Sequence, residues 1–281
     1  MASITDCVVE GLKYPFNDIK KLLGFGALFV IFDLISLAFS LKTIDITRTI
    51  AHTLENTAGH LSILSLSHLP NGDVYIAIAM LIAGFIVSIF IMGYQYDVIG
   101  FSIDRKDDFP GFGDILAILI KGIKYFIVTL AYAIPSMLVM FLGLLLLGNM
   151  GDMSLMPIVI VISGLLFIIA FFLLIMALNN MVAHDSLKKA FDFKEIIGNI
   201  SNLGWGKYIG TVLFTVIVFM IINAAVGFIL SFLTVAFAAL VNNQAIVVSI
   251  FITIIEGLFV SSYCAVFYNR VCGSIYRESI K

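Results

Sequence analysis

The chain has 281 residues, of which 61% are hydrophobic and only 12% are charged, and its mean hydropathy is +1.12. A water-soluble domain of this composition could not cover its surface with polar groups, so we expect lipid to be its solvent. The formal net charge of −2 provides no excess of basic residues to attract nucleic acid, so nucleic-acid partners are not expected.

Six apolar stretches are each long enough to cross the hydrocarbon core of a bilayer, which takes about 20 residues in a helix. An open strand in lipid would leave backbone groups without hydrogen-bond partners, so each stretch is predicted to be an α-helix. The predicted spans cover residues 22–41, 74–94, 125–147, 157–178, 208–238 and 245–268. The sequence therefore predicts an all-α integral membrane protein, with residues 1–281 forming a single polytopic domain built as a bundle of about six transmembrane helices.

The basic residues fall on alternate connections between these stretches. Fourteen of the sixteen lie in the N-terminal arm, the second and fourth connections and the C-terminal tail, whereas the other side receives only Lys42 and Arg48. Positive residues are retained on the cytoplasmic side, so we expect a multi-pass protein of the cell membrane with both termini cytoplasmic.

Three features are expected to modify the helices. The fifth apolar run continues to Val241, longer than one crossing needs, which predicts tilt, a break near Gly227 or an end outside the membrane. Pro135 predicts a kink in the third span. Short amphipathic interfacial helices are predicted before the third span, over residues 112–124, and before the fifth, over residues 186–203.

A similar phrase precedes each odd-numbered span. It reads Phe16-Asn17-Asp18-Ile19, then Phe112-Gly113-Asp114-Ile115, then Phe193-Lys194-Glu195-Ile196. One interpretation is a threefold pseudo-repeat, each unit being an interfacial helix followed by a transmembrane hairpin. The other is that aromatic and charged residues are simply common at membrane interfaces, so that the phrases coincide by composition.

Two acids, Asp33 and Glu256, fall near the middle of the first and last spans, and Asn223 lies at a similar depth in the fifth. A charged carboxylate at mid-bilayer costs at least about 3 kcal/mol, so such residues usually face the bundle interior and have partners. Three arrangements are open. The carboxyls are protonated and hold helices together, they form a proton or cation site with Asn223, or they are not neighbours.

Histidines provide weaker candidates. His52, His60 and His68 recur every eight residues, a spacing that would not bring their side chains to one face of a straight helix, so solvent exposure is favoured over a metal site. His184 and Asp185 could form an acid–base pair, but no recognisable nucleophile motif accompanies them. No catalytic, cofactor-binding or metal-binding residue is therefore assigned.

Several short motifs carry a resemblance to a known family. They are Gly11-Leu12-Lys13-Tyr14-Pro15, Gly93-Tyr94, Asp107-Asp108-Phe109-Pro110, Phe112-Gly113-Asp114, Tyr132 with Pro135, and Ala190-Phe191-Asp192. Together they are similar to a family of multi-span membrane proteins from archaea, mostly methanogens, that is known only as a domain of unknown function. The resemblance runs from about Gly11 to Tyr276 and implies a cell-membrane location, without an activity, ligand or catalytic residue.

These observations favour a non-enzymatic membrane component that needs no cofactor. It would act by helix packing and by contacts with membrane lipids, other membrane proteins or copies of itself. The alternative is a small carrier or a proton- or cation-coupled transporter that uses Asp33, Glu256 and Asn223. A third class, an intramembrane lipid-processing enzyme, has only His184 and Asp185 in its favour.

Overall fold

The computed structural model describes residues 4–56, 71–151, 153–242 and 244–280, and these residues are almost wholly helical, without a strand. Within the described residues, nine α-helices follow one another. They are α1 (Ile4–Lys13), α2 (Ile19–Asn56), α3 (Asn71–Ile103), α4 (Ile115–Met150), α5 (Met156–Ala183), α6 (Phe193–Leu203), α7 (Trp205–Leu240), α8 (Ala245–Ile255) and α9 (Ser262–Ser279). A π-helical turn, Glu256–Ser261, joins α8 to α9 within one helical run, and 3₁₀ turns occupy Tyr14–Phe16 and Leu187–Phe191.

Among the described residues, six helical runs are long and apolar enough to cross a membrane: α2, α3, α4, α5, α7 and the run from α8 through α9. Each of the six predicted spans lies inside one of them. Most of their apolar side chains face outward rather than into the protein, as expected where lipid is the solvent. The prediction of an all-α, multi-pass membrane protein is confirmed.

The helices are longer than the apolar stretches that predicted them. Helix α2 continues past Leu41 to Asn56, and the intervening sequence contains neither glycine nor proline to end it. Hydropathy detects only the part of a helix that lies in hydrocarbon. A polar continuation forms the same backbone hydrogen bonds and so extends the helix unnoticed.

Local details differ from the prediction around the third and fifth spans. Helix α7 runs through Gly227 without a break, and the segment expected as a separate interfacial helix before the third span forms the first turns of α4 itself. Helix α6 is separate from α7, as predicted. It ends at Gly204, whose φ of +90° suits glycine and stops the helix. Pro135 lies inside α4.

Two compact units make up the chain. The first comprises Met1–Leu22, Met92–Val226 and Tyr263–Lys281, and the second comprises Leu23–Ile91 and Gly227–Ser262. The core of the first unit is formed by apolar side chains of α1, α3, α4, α5, α6, α7 and α9, among them Met176, Met181, Ile196, Phe267 and Val271. Helices α4 and α5 contact each other extensively.

In the second unit, α2 approaches the last helical run at backbone distance. A Cβ atom added to Gly26 would lie 2.5 Å from the carbonyl oxygen of Leu258, and one added to Gly257 would lie 2.8 Å from the amide nitrogen of Val30. Only residues without a side chain permit so close a contact between helices. This contact between α2 and the last helical run sets the positions of two acids: Asp33, which follows Gly26, and Glu256, which precedes Gly257.

Candidate functional site

The most enclosed charged group in the first unit is Arg270 of α9, whose side chain is 2% exposed. Its Nε donates to Glu10 Oε1 at 2.9 Å, and its Nη1 donates to the carbonyl oxygen of Lys106 at 2.6 Å. Asp107 lies 3.4 Å away, and Arg277 Nη2 reaches the other oxygen of Glu10 at 2.8 Å. We call Glu10, Asp107, Arg270 and Arg277 the terminal ion cluster. It joins the N-terminal helix to the last helix.

A buried guanidinium is stable only if its charge is paired and its N–H groups are bonded, and both conditions hold for Arg270. Burial raises the pKa of Glu10. The hydrogen bond and charge of Arg277 and the charge of Arg270 together lower it by a larger amount, so the net pKa lies below its usual value. Glu10 is therefore ionised at neutral pH. Burial also raises the pKa of Tyr14, which lies against Arg270, to about 12.

Three tyrosines fasten loops to the helices in the same way. Each ring stacks on a phenylalanine of a loop, and each hydroxyl donates to a carbonyl oxygen one or two residues before that phenylalanine. Tyr14 stacks on Phe109 with ring centroids 4.8 Å apart and donates to Asp108 at 2.6 Å. Tyr94 stacks on Phe112 at 4.7 Å and donates to Pro110 at 3.2 Å. We call these two pairs, together with the pair of Tyr132 and Phe191, the tyrosine clasps.

The third clasp holds a different loop. Tyr132 of α4 stacks on Phe191 with ring centroids 6.1 Å apart, and its hydroxyl donates to the carbonyl oxygen of Ala190 at 2.8 Å. The first two clasps fix residues 107–112 and the third fixes residues 190–191. Lys21 and Asn17 add hydrogen bonds to the carbonyl oxygens of Phe109 and Asp107.

Ionic contacts surround the third clasp. The carboxylate of Asp185 accepts hydrogen bonds from Lys124 Nζ and from the Tyr96 hydroxyl, both at 2.8 Å, and these bonds hold the pKa of Asp185 below its usual range. Lys189 binds Glu195 and Asp192. Asn180 connects this region to α9, because its amide donates to the carbonyl of Lys189 and its oxygen accepts from Tyr276 at 2.7 Å.

The predicted acid–base pair of His184 and Asp185 is not brought together by a hydrogen bond. His184 Nδ1 lies 3.0 Å from the carbonyl oxygen of Asn180, and its Nε2 lies 3.6 Å from Glu195, whereas Asp185 is engaged by Lys124 and Tyr96. Of the outer histidines, His60 and His68 lie outside the described residues, as does the side chain of His52.

The repeated phrases correspond to helix caps. Asp18 accepts a hydrogen bond from the backbone N–H of Lys21 at 3.0 Å, and Asp114 accepts from that of Ala117 at 3.0 Å. Both acids stand just before the helix that forms the next span, which is the position where a carboxylate best satisfies a free N–H. The third phrase differs, because Phe193-Lys194-Glu195-Ile196 forms the first turn of α6, and the capping acid of that helix is Asp192, which accepts from Glu195 N at 3.2 Å.

The second unit holds the two mid-span acids. Asp33 is partly buried on α2, and Glu256 is exposed where the π-helical turn begins, and the two carboxyl groups lie within range of each other's charge. The close approach of α2 through Gly26 and Gly257 brings them together. A π-helical turn shifts the register of the side chains that follow and is frequent at functional sites.

The third predicted member of this site, Asn223, belongs to the first unit. Its amide nitrogen donates to the carbonyl oxygen of Phe219, one turn earlier in α7, and lies 3.6 Å from Cys264 Sγ. The role of Asp33, Glu256 and Asn223 as one polar site stays a prediction.

The family described as "Protein of unknown function (DUF4013)" matches residues 76–235 of this chain. The matched part is more than half of the sequence. The chain belongs to this family. No curated protein and no solved structure matches the chain. The DUF4013 match includes both clasped loops, Tyr94 and Tyr132, whereas Tyr14, Glu10 and Arg270 lie outside it.

The motifs that carried the resemblance now have a structural explanation, since nearly all of them form the tyrosine clasps and the helix caps. Sequence reasoning missed Arg270, which it only counted among the basic residues of the expected cytoplasmic side. A signal was present. At helical spacing Arg270 shares a face with the buried Phe267 and Ser274, so its side chain points into the protein rather than toward lipid headgroups.

Proposed function

We propose that this DUF4013 member is a non-enzymatic component of the cell membrane, with both termini cytoplasmic, that acts by presenting a rigid loop surface to protein or lipid partners. The archaeal, mostly methanogen, origin that the resemblance implies belongs to the same proposal. The observation that supports it best is the use of the family motifs. Their side chains form the tyrosine clasps and helix caps that hold the two loops, residues 107–112 and 190–191, in place.

Two further observations fit this proposal. Glu10 of α1 binds Arg270 and Arg277 of α9, so these two helices lie together, as an even number of intervening spans would require. The loop between α3 and α4, which the first two clasps hold, also has an exposed outer surface, because the side chains of residues 104–108 face solvent while Phe109 and Pro110 are buried. A loop that is held in one conformation by buried contacts, and is exposed on its other side, loses little conformational entropy on binding. This favours a role in binding a protein or lipid partner.

The test is site-specific photocrosslinking in native membranes, with the crosslinker at Asp108 on the clasped loop. We expect one discrete adduct of higher mass, whose yield falls severalfold when the double substitution Tyr14→Leu and Tyr94→Leu releases the loop. A crosslinker at Met220, which is 63% exposed on α7 away from the loop, is the matched control and should give lipid adducts only. Adduct formation that is the same with and without the clasp would contradict the proposal.

The carrier function is the second candidate, and a specific observation favours it. Glu256 is exposed in the middle of an apolar run, beside Asp33 and at a π-helical turn. An exposed carboxyl at that depth needs a proton, an ion or a polar partner. Such a pair can take up one proton or cation and release it.

Flux measurements in proteoliposomes test this candidate. Under a pH or cation gradient, wild type should dissipate the gradient, and Asp33→Asn and Glu256→Gln should each slow it at least tenfold. Asp45→Asn, an exposed position on the same helix beyond the predicted span, is the control and should leave the flux unchanged. Absence of flux in wild type across a broad ion panel would remove the carrier candidate and leave the first proposal standing.

A further inference from the structure

Helix α6 has a second apolar surface besides the one that packs in the core. Its buried side is formed by Ile196, Ile200 and Leu203, which belong to the core of the first unit. Phe193 and Ile197 lie one turn apart beside this buried side, yet they are 50% and 45% exposed. The apolar arc of the helix is therefore wider than the part that the protein itself covers.

Aromatic side chains continue this surface at both ends of the helix. Phe191 is 39% exposed just before α6, and Trp205, the first residue of α7, is 48% exposed. Helix α6 connects α5 to α7, and both of these are long and apolar enough to span a membrane. A connection between two consecutive spans begins and ends at one surface of the bilayer, and tryptophan favours that interface. The exposed apolar arc of α6 therefore lies where lipid is the nearest available cover.

The charges of this connection leave an excess of positive charge. Each of its three acids is paired with a lysine of the protein: Asp185 with Lys124, and Asp192 and Glu195 with Lys189. Lys188 and Lys194 are both exposed, and neither pairs with an acid in the part of the chain that the structure describes. Two positive charges thus remain without a counter-charge beside the exposed apolar arc.

The order of side chains around α6 matches the layers of a leaflet. At 3.6 residues per turn, Lys194 lies about 100° around the helix from Phe193 and about 60° from Ile197. Asn202, which is exposed, lies about 80° beyond Lys194 in the same direction. Moving away from the core, the surface is therefore apolar, then basic, then neutral and polar. An acyl chain, an anionic headgroup and water follow one another in the same order at a membrane surface, and a long lysine side chain can bridge the first two.

We propose that the exposed side of α6 binds an anionic phospholipid, with the headgroup held by Lys188 and Lys194 and an acyl chain against Phe193 and Ile197. A soluble anion would leave the apolar arc uncovered, and a lipid without net charge would leave the two lysines without a counter-charge. This inference goes beyond the proposed function, whose test uses the loop between α3 and α4, so either proposal can fail without the other.

Trp205 is the only tryptophan in the chain, and it provides a probe at this surface. Bromine atoms on an acyl chain quench tryptophan fluorescence on contact. The full-length protein is placed in nanodiscs of phosphatidylcholine and phosphatidylglycerol that have one overall composition and one content of bromine, which is carried by either lipid. We expect phosphatidylglycerol to associate with the surface around Trp205 at least about threefold more strongly than phosphatidylcholine. High salt should weaken this preference, because it screens exposed charges.

Two double variants locate the binding. Lys188→Gln with Lys194→Gln should abolish the preference for phosphatidylglycerol while quenching by both lipids persists, because the apolar arc is retained. Lys13→Gln with Lys20→Gln, at exposed positions of α1 and α2, removes the same charge elsewhere in the first unit and should leave the preference unchanged. All four lysines are exposed, so each double variant is expected to fold.

Three results would overturn the proposal. Equal quenching by the two lipids in wild type would show that α6 does not select anionic lipid. An equal loss of preference in both double variants would reduce the effect to the overall charge of the protein. Absence of quenching by either lipid would mean that water or a second copy of the chain covers this surface instead.

Discussion

The guanidinium carbon of Arg270 lies 4.2 Å from the centroid of the Tyr14 ring, and the ring of Phe109 stacks on the same tyrosine nearly parallel. Three segments that are far apart in the sequence therefore meet at one contact: the N-terminal arm, the clasped loop and the last helix. A cation on an aromatic face is attracted by the ring, and the attraction is larger where water is excluded. Arg270 thus connects the terminal ion cluster to the first tyrosine clasp.

Replacement of Arg270 should destabilise the first unit strongly. Arg270→Gln removes the charge that pairs with Glu10 and most of the donors that reach the loop carbonyls, so we expect the free energy of unfolding to fall by about 3 kcal/mol. Thermal unfolding in detergent measures it. Lys20→Gln, at an exposed position at the start of α2, should change it by less than about 0.5 kcal/mol. Equal melting temperatures of the two variants would show that Arg270 is not structural.

The terminal ion cluster predicts a dependence of stability on acid. The net pKa of Glu10 is lowered in the folded protein, so its contribution is fully present above the unfolded value of 4.5 and is lost as pH falls through the lowered folded pKa. We expect the melting temperature of wild type to fall between about pH 5 and pH 3 by more than that of Glu10→Gln, which has no carboxyl to titrate there. Parallel curves for the two proteins would contradict this assignment.

The tyrosine clasps predict a graded effect of substitution. Tyr132→Phe keeps the ring stacking but leaves the buried carbonyl of Ala190 without its donor, which should cost about 1 kcal/mol, whereas Tyr132→Leu also loses the aromatic contacts and should cost about 3 kcal/mol. Hydrogen exchange of residues 186–192 gives the local measurement, and it should rise in the same order. Tyr75→Phe, at a position 70% exposed, is the control without effect.

Composition and hydropathy were enough to predict the architecture. A lipid environment requires helices, and six apolar stretches of sufficient length give the number of spans, so the spans followed from local sequence. Arg270 was not predicted, because a lone arginine at the end of a span is usually a membrane anchor. Its burial depends on Glu10, which lies 260 positions away in the chain.

The same limit applies to the clasps and to the capping acid near the third phrase. Tyrosines and phenylalanines were expected at the interface, but which ring meets which loop depends on tertiary contacts such as that between Tyr14 and Phe109. For the third phrase, Glu195 matched the spacing of the first two, yet Asp192 immediately precedes α6 and so meets its free N–H groups. Helix boundaries, which sequence fixes least well, decided between the two acids.

The contact between α2 and the last helical run predicts opposite effects of one chemical change at two glycines. In Gly26→Ala the new Cβ would lie 2.5 Å from the carbonyl oxygen of Leu258 and 2.7 Å from its Cα, and because both are backbone atoms, the helices must move apart. We expect a loss of about 2 kcal/mol in the free energy of unfolding. Gly227→Ala meets no atom within 4 Å, and it should stabilise α7 by about 0.5–1 kcal/mol, since alanine favours a helix over glycine. Melting temperatures of the two variants provide the measurement. A rise for Gly26→Ala as large as that for Gly227→Ala would mean that α2 does not approach the last helix at backbone distance, and the pairing of Asp33 with Glu256 would lose its structural basis.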